Sequence, residues 1–151
     1  MAKDYKPLDL LSKEQLKEIR EKKDWINVVS ISLNWLQIIA AMALFFYFPN
    51  VLTFLLSVIV IGSRQFALAV LAHDGAHNLL FSNEKINDFV SQWFCAFPLF
   101  SDNRPYRPYH LAHHRFTESE NDPDLSLSAP FPITKASFRR KVIRDLSLIH
   151  I

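Results

Sequence analysis

The feature that most narrows what this chain can become is a run of 24 residues, Trp25 to Phe48, without a single Asp, Glu, Lys or Arg. As a helix it reaches about 36 Å at 1.5 Å per residue, enough to cross a hydrocarbon core of about 30 Å. Pro49 and Asn50 follow as a turn signal. Val51 to Ala72 is a second apolar run, about 33 Å long as a helix, with one charge at Arg64. A water-soluble domain of this length would intersperse apolar with polar residues at helix or strand periods. Here the charges crowd into the two ends. The pattern predicts an all-α, integral-membrane chain: a two-span transmembrane helical hairpin with cytoplasmic and interfacial helices around it.

Orientation follows from the basic residues. Seven Lys and Arg precede Trp25, nine follow Ala72 and none lies in the turn, so both termini are expected in the cytoplasm. In a bacterium this would be the inner, plasma membrane. Trp25, Trp35 and Tyr47 include candidate interface anchors. Arg64 would be costly at mid-bilayer; it is expected near the cytoplasmic boundary, with its guanidinium reaching into water. At about 100° per residue it faces away from His73.

The first 24 residues carry charges of both signs and have neither the apolar core nor the cleavage site of a secretory signal peptide. Ser12 followed by Gln15 forms a capping box, which predicts a helix from Lys13. Leu16 and Ile19 either lay an apolar edge on the bilayer or belong to a solvated helix. Cys95 is the only cysteine, so no intrachain disulfide is available. The net charge of +2, with no basic patch interleaved with aromatics, gives no reason to expect a nucleic-acid partner.

Beyond the hairpin, Asn83 to Phe100 is apolar but too short to span comfortably and is interrupted by Pro98, so it reads as an interfacial or re-entrant helix. Arg104 to Tyr109 reads as a proline-bearing loop, with Pro108 in the first turn of a new helix. Asp122-Pro123-Asp124 is expected to end that helix, and 128–132 to be a loop. Ala136 to Arg144 is basic, with Phe138, Val142 and Ile143, and suits an anionic membrane surface.

Five of the six histidines fall into two groups, His73-Asp74-Gly75-Ala76-His77 and His110-Leu111-Ala112-His113-His114. On a helix, positions i and i+4 share a face. His73 and His77 can therefore bind one ion or two adjacent ions. His113 and His114 diverge by about 100° and can address neighbouring ions, while His110 shares a face with both. Imidazole suits iron, zinc, copper and nickel. A lone histidine on a helix is usually a surface or satisfied core residue, and one HxxxH pair would mean little. Three histidines within five residues, with both groups just past a membrane span, favour metal. His150 stands alone and is read as unrelated.

The order of span, HDGAH, short apolar helix, HLAHH and DPD turn resembles the membrane fatty-acid desaturase superfamily, which also includes carotenoid hydroxylases and ketolases. The resemblance runs from about Trp25 to about Asp145. It implies two irons held by histidine boxes on cytoplasmic extensions of transmembrane helices, with His73, His77, His110, His113 and His114 as iron ligands. It also implies O₂-dependent removal of hydrogen from a fatty acyl or other lipid substrate, and electrons from a ferredoxin or a cytochrome-type carrier. Asp74, Asp122 and Asp124 are candidate acceptors for imidazole N–H groups. Asp74 reads equally as a helix-surface charge, and the other two as turn-formers.

The superfamily carries a third histidine box after a second pair of spans. Five histidines cannot fill two iron coordination spheres, so this chain by itself is expected to have little or no activity. The tail 146–151 departs from the family pattern and resembles translated adapter sequence, an artefactual end. The alternatives are a carotenoid or lipid hydroxylase or ketolase, a small two-span membrane protein that binds zinc or carries metal, and a short regulatory relative of a full-length enzyme.

Overall fold

The computed structural model describes residues 10–128 and 132–146, and every regular element among these is helical. The expected tail beyond Leu146, His150 within it, and most of the 128–132 loop lie outside the described residues. The chain forms two compact units, Met1–Arg107 and Pro108–Ile151, with the boundary inside one helix.

In the first unit, α1 (Lys13–Ile19) starts where the capping box predicts. Gln15 N donates to Ser12 Oγ at 3.2 Å and Ser12 N to Gln15 Oε1 at 2.9 Å. The two apolar runs form α2 (Asp24–Tyr47) and α3 (Val51–Ala76). The turn between them has a reciprocal cap of its own: Thr53 N donates to Asn50 Oδ1 at 3.0 Å and Asn50 N to Thr53 Oγ1 at 3.2 Å. A connection this short makes α2 and α3 an antiparallel pair. Close to the turn Ser57 Oγ donates to Ala41 O at 2.8 Å, and the Phe45 and Phe54 rings meet edge to face.

Both α2 and α3 are long and apolar enough to cross a membrane, and only 22% and 17% of their most apolar stretches is buried. A core helix of a soluble domain would be mostly covered. Here Leu36, Ile39, Met42, Phe46, Leu52, Ile59 and Phe66 are all more than half exposed, a surface that water would penalise heavily and hydrocarbon would not.

The buried core gathers at the far end of the hairpin, beside the first histidine box. Leu68, Leu71 and Ala72 of α3 pack with Ile31 and Ile38 of α2 and with Leu80, Phe81, Cys95 and Ala96. Burying a side chain like that of Leu68 contributes about 1.5–3 kcal/mol. Side-chain hydrogen bonds tie the segment after α3 to α2. Asn27 Nδ2 donates to Leu80 O at 2.6 Å, and Ser82 N donates to Asp24 Oδ1 at 2.8 Å.

The segment expected as one interfacial helix divides into three. These are α4 (Glu84–Val90), capped by Asn83, then a π-helical turn over Ser91–Ala96 and a 3₁₀ turn over Phe97–Leu99 containing Pro98. Trp35 Nε1 donates to Phe94 O at 3.0 Å and fixes the π turn to α2. Phe89 and Trp93 stay more than half exposed, as an interfacial element would present them.

α5 (Asn103–Phe116) corrects two expectations. Arg104 to Tyr109 is helix rather than loop, and Pro108 lies inside the helix rather than in its first turn. Asp102 caps the start, with its carboxylate accepting from Arg104 N at 2.9 Å and its carbonyl from Tyr106 N at 3.3 Å. Pro108 removes one helical hydrogen bond, and the anchoring of Asn103 and Arg107 described below offsets that loss.

In the second unit α5 ends at Phe116, six residues before the expected stop, and Glu118 takes a left-handed φ of 59°. α6 (Leu125–Ser128) is one turn. Thr134 caps α7 (Lys135–Leu146), whose Phe138 and Ile143 are exposed.

Candidate metal centre

The first histidine box sits on the last turn of α3. The helix runs four residues past the apolar run that ends at Ala72, as the i, i+4 spacing of the box requires, so His73 is helical and His77 is the residue that caps it. Their ring centroids are 4.8 Å apart and steeply inclined, and each offers a ring nitrogen within 4.8 Å of the other's. His73 Nδ1 lies 3.3 Å from Asp74 Oδ1.

A helix end leaves carbonyls short of intrahelical partners, and here three side chains, from α4 and α5, donate to carbonyls of the last turns. Asn103 Nδ2 donates to Ala72 O at 2.9 Å, Asn87 Nδ2 to Gly75 O at 2.9 Å and Arg107 Nε to Ala76 O at 3.0 Å. A second Arg107 nitrogen donates to Gly75 O at 3.0 Å, and Arg107 also pairs with Asp88. A guanidinium at the negative end of a helix dipole is favourable. The ion pair holds the Asp88 carboxyl below its ordinary pKa, against the opposing effect of partial burial. Asn87, wholly buried, spends its oxygen on Leu80 N and Phe81 N.

Gly75, central in the box, is required by packing rather than by dihedral. A Cβ there would stand 2.2 Å from Ser91 Cβ and 2.8 Å from Ser91 Oγ. The π turn presses directly on the helix between the two histidines.

The second box is on the C-terminal half of α5. His110 Nε2 and His114 Nε2 face each other at 3.0 Å, with ring planes nearly perpendicular. Two nitrogens about 2.1 Å from one ion and at right angles to each other stand about 3.0 Å apart. The spacing therefore fits a shared metal ion, or one proton between the rings.

His113 turns elsewhere, with ring centroids 6.3 Å from His110 and 5.8 Å from His114. Its Nδ1 is 2.8 Å from Asp122 Oδ1 and 3.6 Å from Asp124 Oδ2. The Asp122 hydrogen bond raises the imidazole pKa and, reciprocally, lowers that of the carboxyl. An Nδ1 held by a carboxylate presents Nε2 to a metal with its tautomer fixed.

Asp122 performs both functions proposed for it. Its buried carboxylate also accepts from Glu118 N and Asp124 N, each at 2.8 Å, and so builds the turn after the helix. Asp124 accepts from Tyr109 Oη, which raises the phenol's pKa.

Of the residues singled out in the sequence, the structure pairs His73 with His77 in one unit and groups His110, His113 and His114 in the other. Arg64 lies on α3 with its Nε 3.3 Å from Ser63 Oγ. Sequence reasoning missed Asn87, Ser91, Asn103 and Arg107. One signal was available: at 100° per residue, Asn103, Arg107, His110 and His114 fall on a single stripe of α5. Reading Arg104 to Tyr109 as a loop concealed it.

Residues 49–150, about two thirds of the chain, match the family described as Fatty acid desaturase. The chain belongs to the fatty acid desaturase family. Among similar desaturases, the dihydrorhizobitoxine desaturase of Bradyrhizobium elkanii is 40% identical over 72 residues, covering 46% of this chain and 20% of that protein. The omega-3 fatty acid desaturase fat-1 of Caenorhabditis elegans is 42% identical over 60 residues, covering 39% and 14%. The matched stretch is thus a fifth or less of each desaturase's length. No solved structure matches the chain at comparable significance.

Proposed function

We propose that this chain carries two histidine boxes of an O₂-dependent di-iron lipid oxidoreductase, and that the reaction introduces a double bond into a fatty acyl chain. Both relatives are named desaturases while their named substrates differ, so the support for desaturation is firmer than that for any one acyl chain. The observation that carries the iron reading is the second box. Two imidazole nitrogens sit at the separation of neighbouring ligands, and a third histidine is oriented by a buried carboxylate.

His73, His77, His110, His113 and His114 would hold the irons. Bound iron would supply the oxidising power toward an unactivated C–H bond that side chains lack. The chain's own residues do the positioning. Asp122 fixes the His113 ring, and Asp74 stands beside His73. Asn87, Asn103 and Arg107 hold the α3 terminus that bears His73 and His77. In this reading α2 and α3 cross the bilayer with both termini cytoplasmic, next to the acyl chains dissolved in it, and electrons arrive from a ferredoxin or a cytochrome-type carrier. Five imidazoles do not complete two iron coordination spheres, so these 151 residues alone are inactive.

The test is metal analysis of the protein expressed from its whole coding sequence. Two irons per polypeptide are expected, with loss of iron and of desaturation in H110A and H113A. One zinc per chain without O₂-dependent turnover would leave a metal-binding membrane protein instead. Turnover by the 151-residue chain, given iron, a reductant and acyl substrate, would refute its inactivity. Protease protection of terminal tags in sealed vesicles checks the topology.

A further inference from the structure

Neither histidine box draws a candidate ligand or an orienting carboxylate from α7. The twelve residues of this helix, KASFRRKVIRDL, hold five Lys or Arg and one acid. At about 100° per residue, Phe138, Val142 and Ile143 fall within an arc of about 140°. Phe138 and Ile143 are each 56% exposed, and Val142 is 37% exposed. Lys135 and Arg139 fall inside the same arc, while Arg140 and Lys141 flank it about 60° beyond either edge. Arg139 and Arg140 are exposed and make no ion pair or side-chain hydrogen bond among the described residues. Asp122 and Asp124, earlier in the same unit, are engaged by His113 and Tyr109.

Charge within the apolar arc decides what can cover it. A helix that packs on a protein core keeps its apolar stripe free of charge, because a buried guanidinium without a partner is costly. A lipid–water interface sets no such limit. Lys and Arg lay their stems along the acyl chains and lift their charged ends to the headgroup oxygens. The sign of the charge then selects the lipid: an anionic leaflet attracts each basic residue near it. An acidic protein would also answer the charge, but it must be captured from solution, whereas the α2–α3 hairpin tethers α7 on the same chain as its bilayer.

We propose that α7 docks in the headgroup layer of an anionic leaflet, with Phe138, Val142 and Ile143 toward the acyl chains and its basic side chains on lipid phosphates. This docking rests on α2 and α3 spanning the bilayer, as in the proposed function.

The test places the full-length protein in nanodiscs of phosphatidylcholine, with and without phosphatidylglycerol. A fluorophore on Val142→Cys, Arg140→Cys or Ile59→Cys, in separate variants, is read for quenching by spin-labelled acyl chains; Cys95, fully buried, should stay unlabelled. With phosphatidylglycerol present, position 142 should be quenched and position 140 should not. In phosphatidylcholine alone, quenching at 142 should fall. Replacing both Arg139 and Arg140 with Gln should lower the docked-to-free ratio about 25-fold, about fivefold per charge, and replacing both with Lys should preserve it. Ile59, on α3 and 68% exposed, should be quenched in both lipids and in every variant, which shows that the protein is inserted. Quenching at 59 without quenching at 142 in the anionic bilayer would overturn the docking alone and leave an acidic protein as the partner. Equal quenching at 142 in both lipids, or an undiminished ratio in the Gln pair, would overturn the anionic preference. No quenching at 59 would overturn the spanning hairpin and the docking with it.

Discussion

Replacing Gly75 with alanine separates two opposed expectations. On helix propensity alone the change should stabilise α3 by up to about 1 kcal/mol. The new Cβ, however, would stand 2.2 Å from Ser91 Cβ, where carbon atoms normally keep about 3.5–4 Å. The π turn must then retreat by about 1.3 Å or more, and overpacking of this kind costs about 1–3 kcal/mol. Retreat also stretches the bonds that Asn87 and Arg107 make to Gly75 O, worth about 0.5–3 kcal/mol each, the charged one at the upper end. The net expectation is a loss of about 1–4 kcal/mol. Ser91→Gly removes the opposing atoms and leaves Asn103 Nδ2 at a tolerable 3.4 Å. Alone it should cost about 1 kcal/mol through backbone entropy. The double variant G75A/S91G should therefore be more stable than the sum of the singles by about 1–3 kcal/mol. Denaturant titration in mild detergent, followed by tryptophan fluorescence, reads all four corners of the cycle. A neutral or stabilising G75A, or simple additivity, would refute the packing argument and leave Gly75 without a structural reason.

Three further outcomes follow from the geometry. Asp122→Ala leaves the His113 ring N–H and two backbone N–H groups without their acceptor; on the proposed di-iron reading, iron affinity should fall about 10–100-fold, measured by competition with a chelator, and unchanged affinity would show that His113 needs no orienting partner. The Asp88 carboxyl, held below its ordinary pKa by Arg107, adds stability above the unfolded value of about 3.9 that is lost as pH falls through the folded one; the effect is small because Asp88 is half exposed, and Arg107→Met should flatten that part of the stability–pH curve while lowering stability throughout. The Cys95 thiol is fully buried and burial pushes its pKa up to about 12, so it should resist maleimide at pH 8 in the native protein and react on unfolding; labelling at the rate of a free thiol would contradict the packing around it.

The helical hairpin was legible because its pattern is simple: two long apolar runs with one charge between them, separated by a Pro-Asn break. The cap at Ser12 and the turn at Pro49-Asn50 were legible because each is decided within four residues; the cap that Asn50 forms with Thr53 was not read from the sequence. The histidine boxes were visible through spacing alone, and the structure gives each box the helical setting that spacing requires. What stayed hidden depends on partners distant in sequence. Nothing near Pro108 indicates that the helix continues through it, because the compensation comes from Asn103 and Arg107 gripping carbonyls 31 and 32 residues earlier. Nor does the sequence of 83–100 announce a π turn, whose place is set by a glycine on another helix.

The same long-range bonds explain why the first box can be positioned by protein alone. At an ordinary helix end the last carbonyls take whatever donors are near, and an imidazole in the last turn is a ready one. Here Asn87, Asn103 and Arg107 donate to the carbonyls of Ala72, Gly75 and Ala76, so those three carbonyls have side-chain donors other than the two imidazoles. Supporting bonds of this kind hold a ligand's backbone before any ion binds, and loose support is a common reason for a site to be present but weak. In the second box a carboxylate does comparable work on the ring itself, through Asp122. The two boxes thus use different means toward the same end. One braces the main chain beneath its histidines, and the other fixes an imidazole from behind.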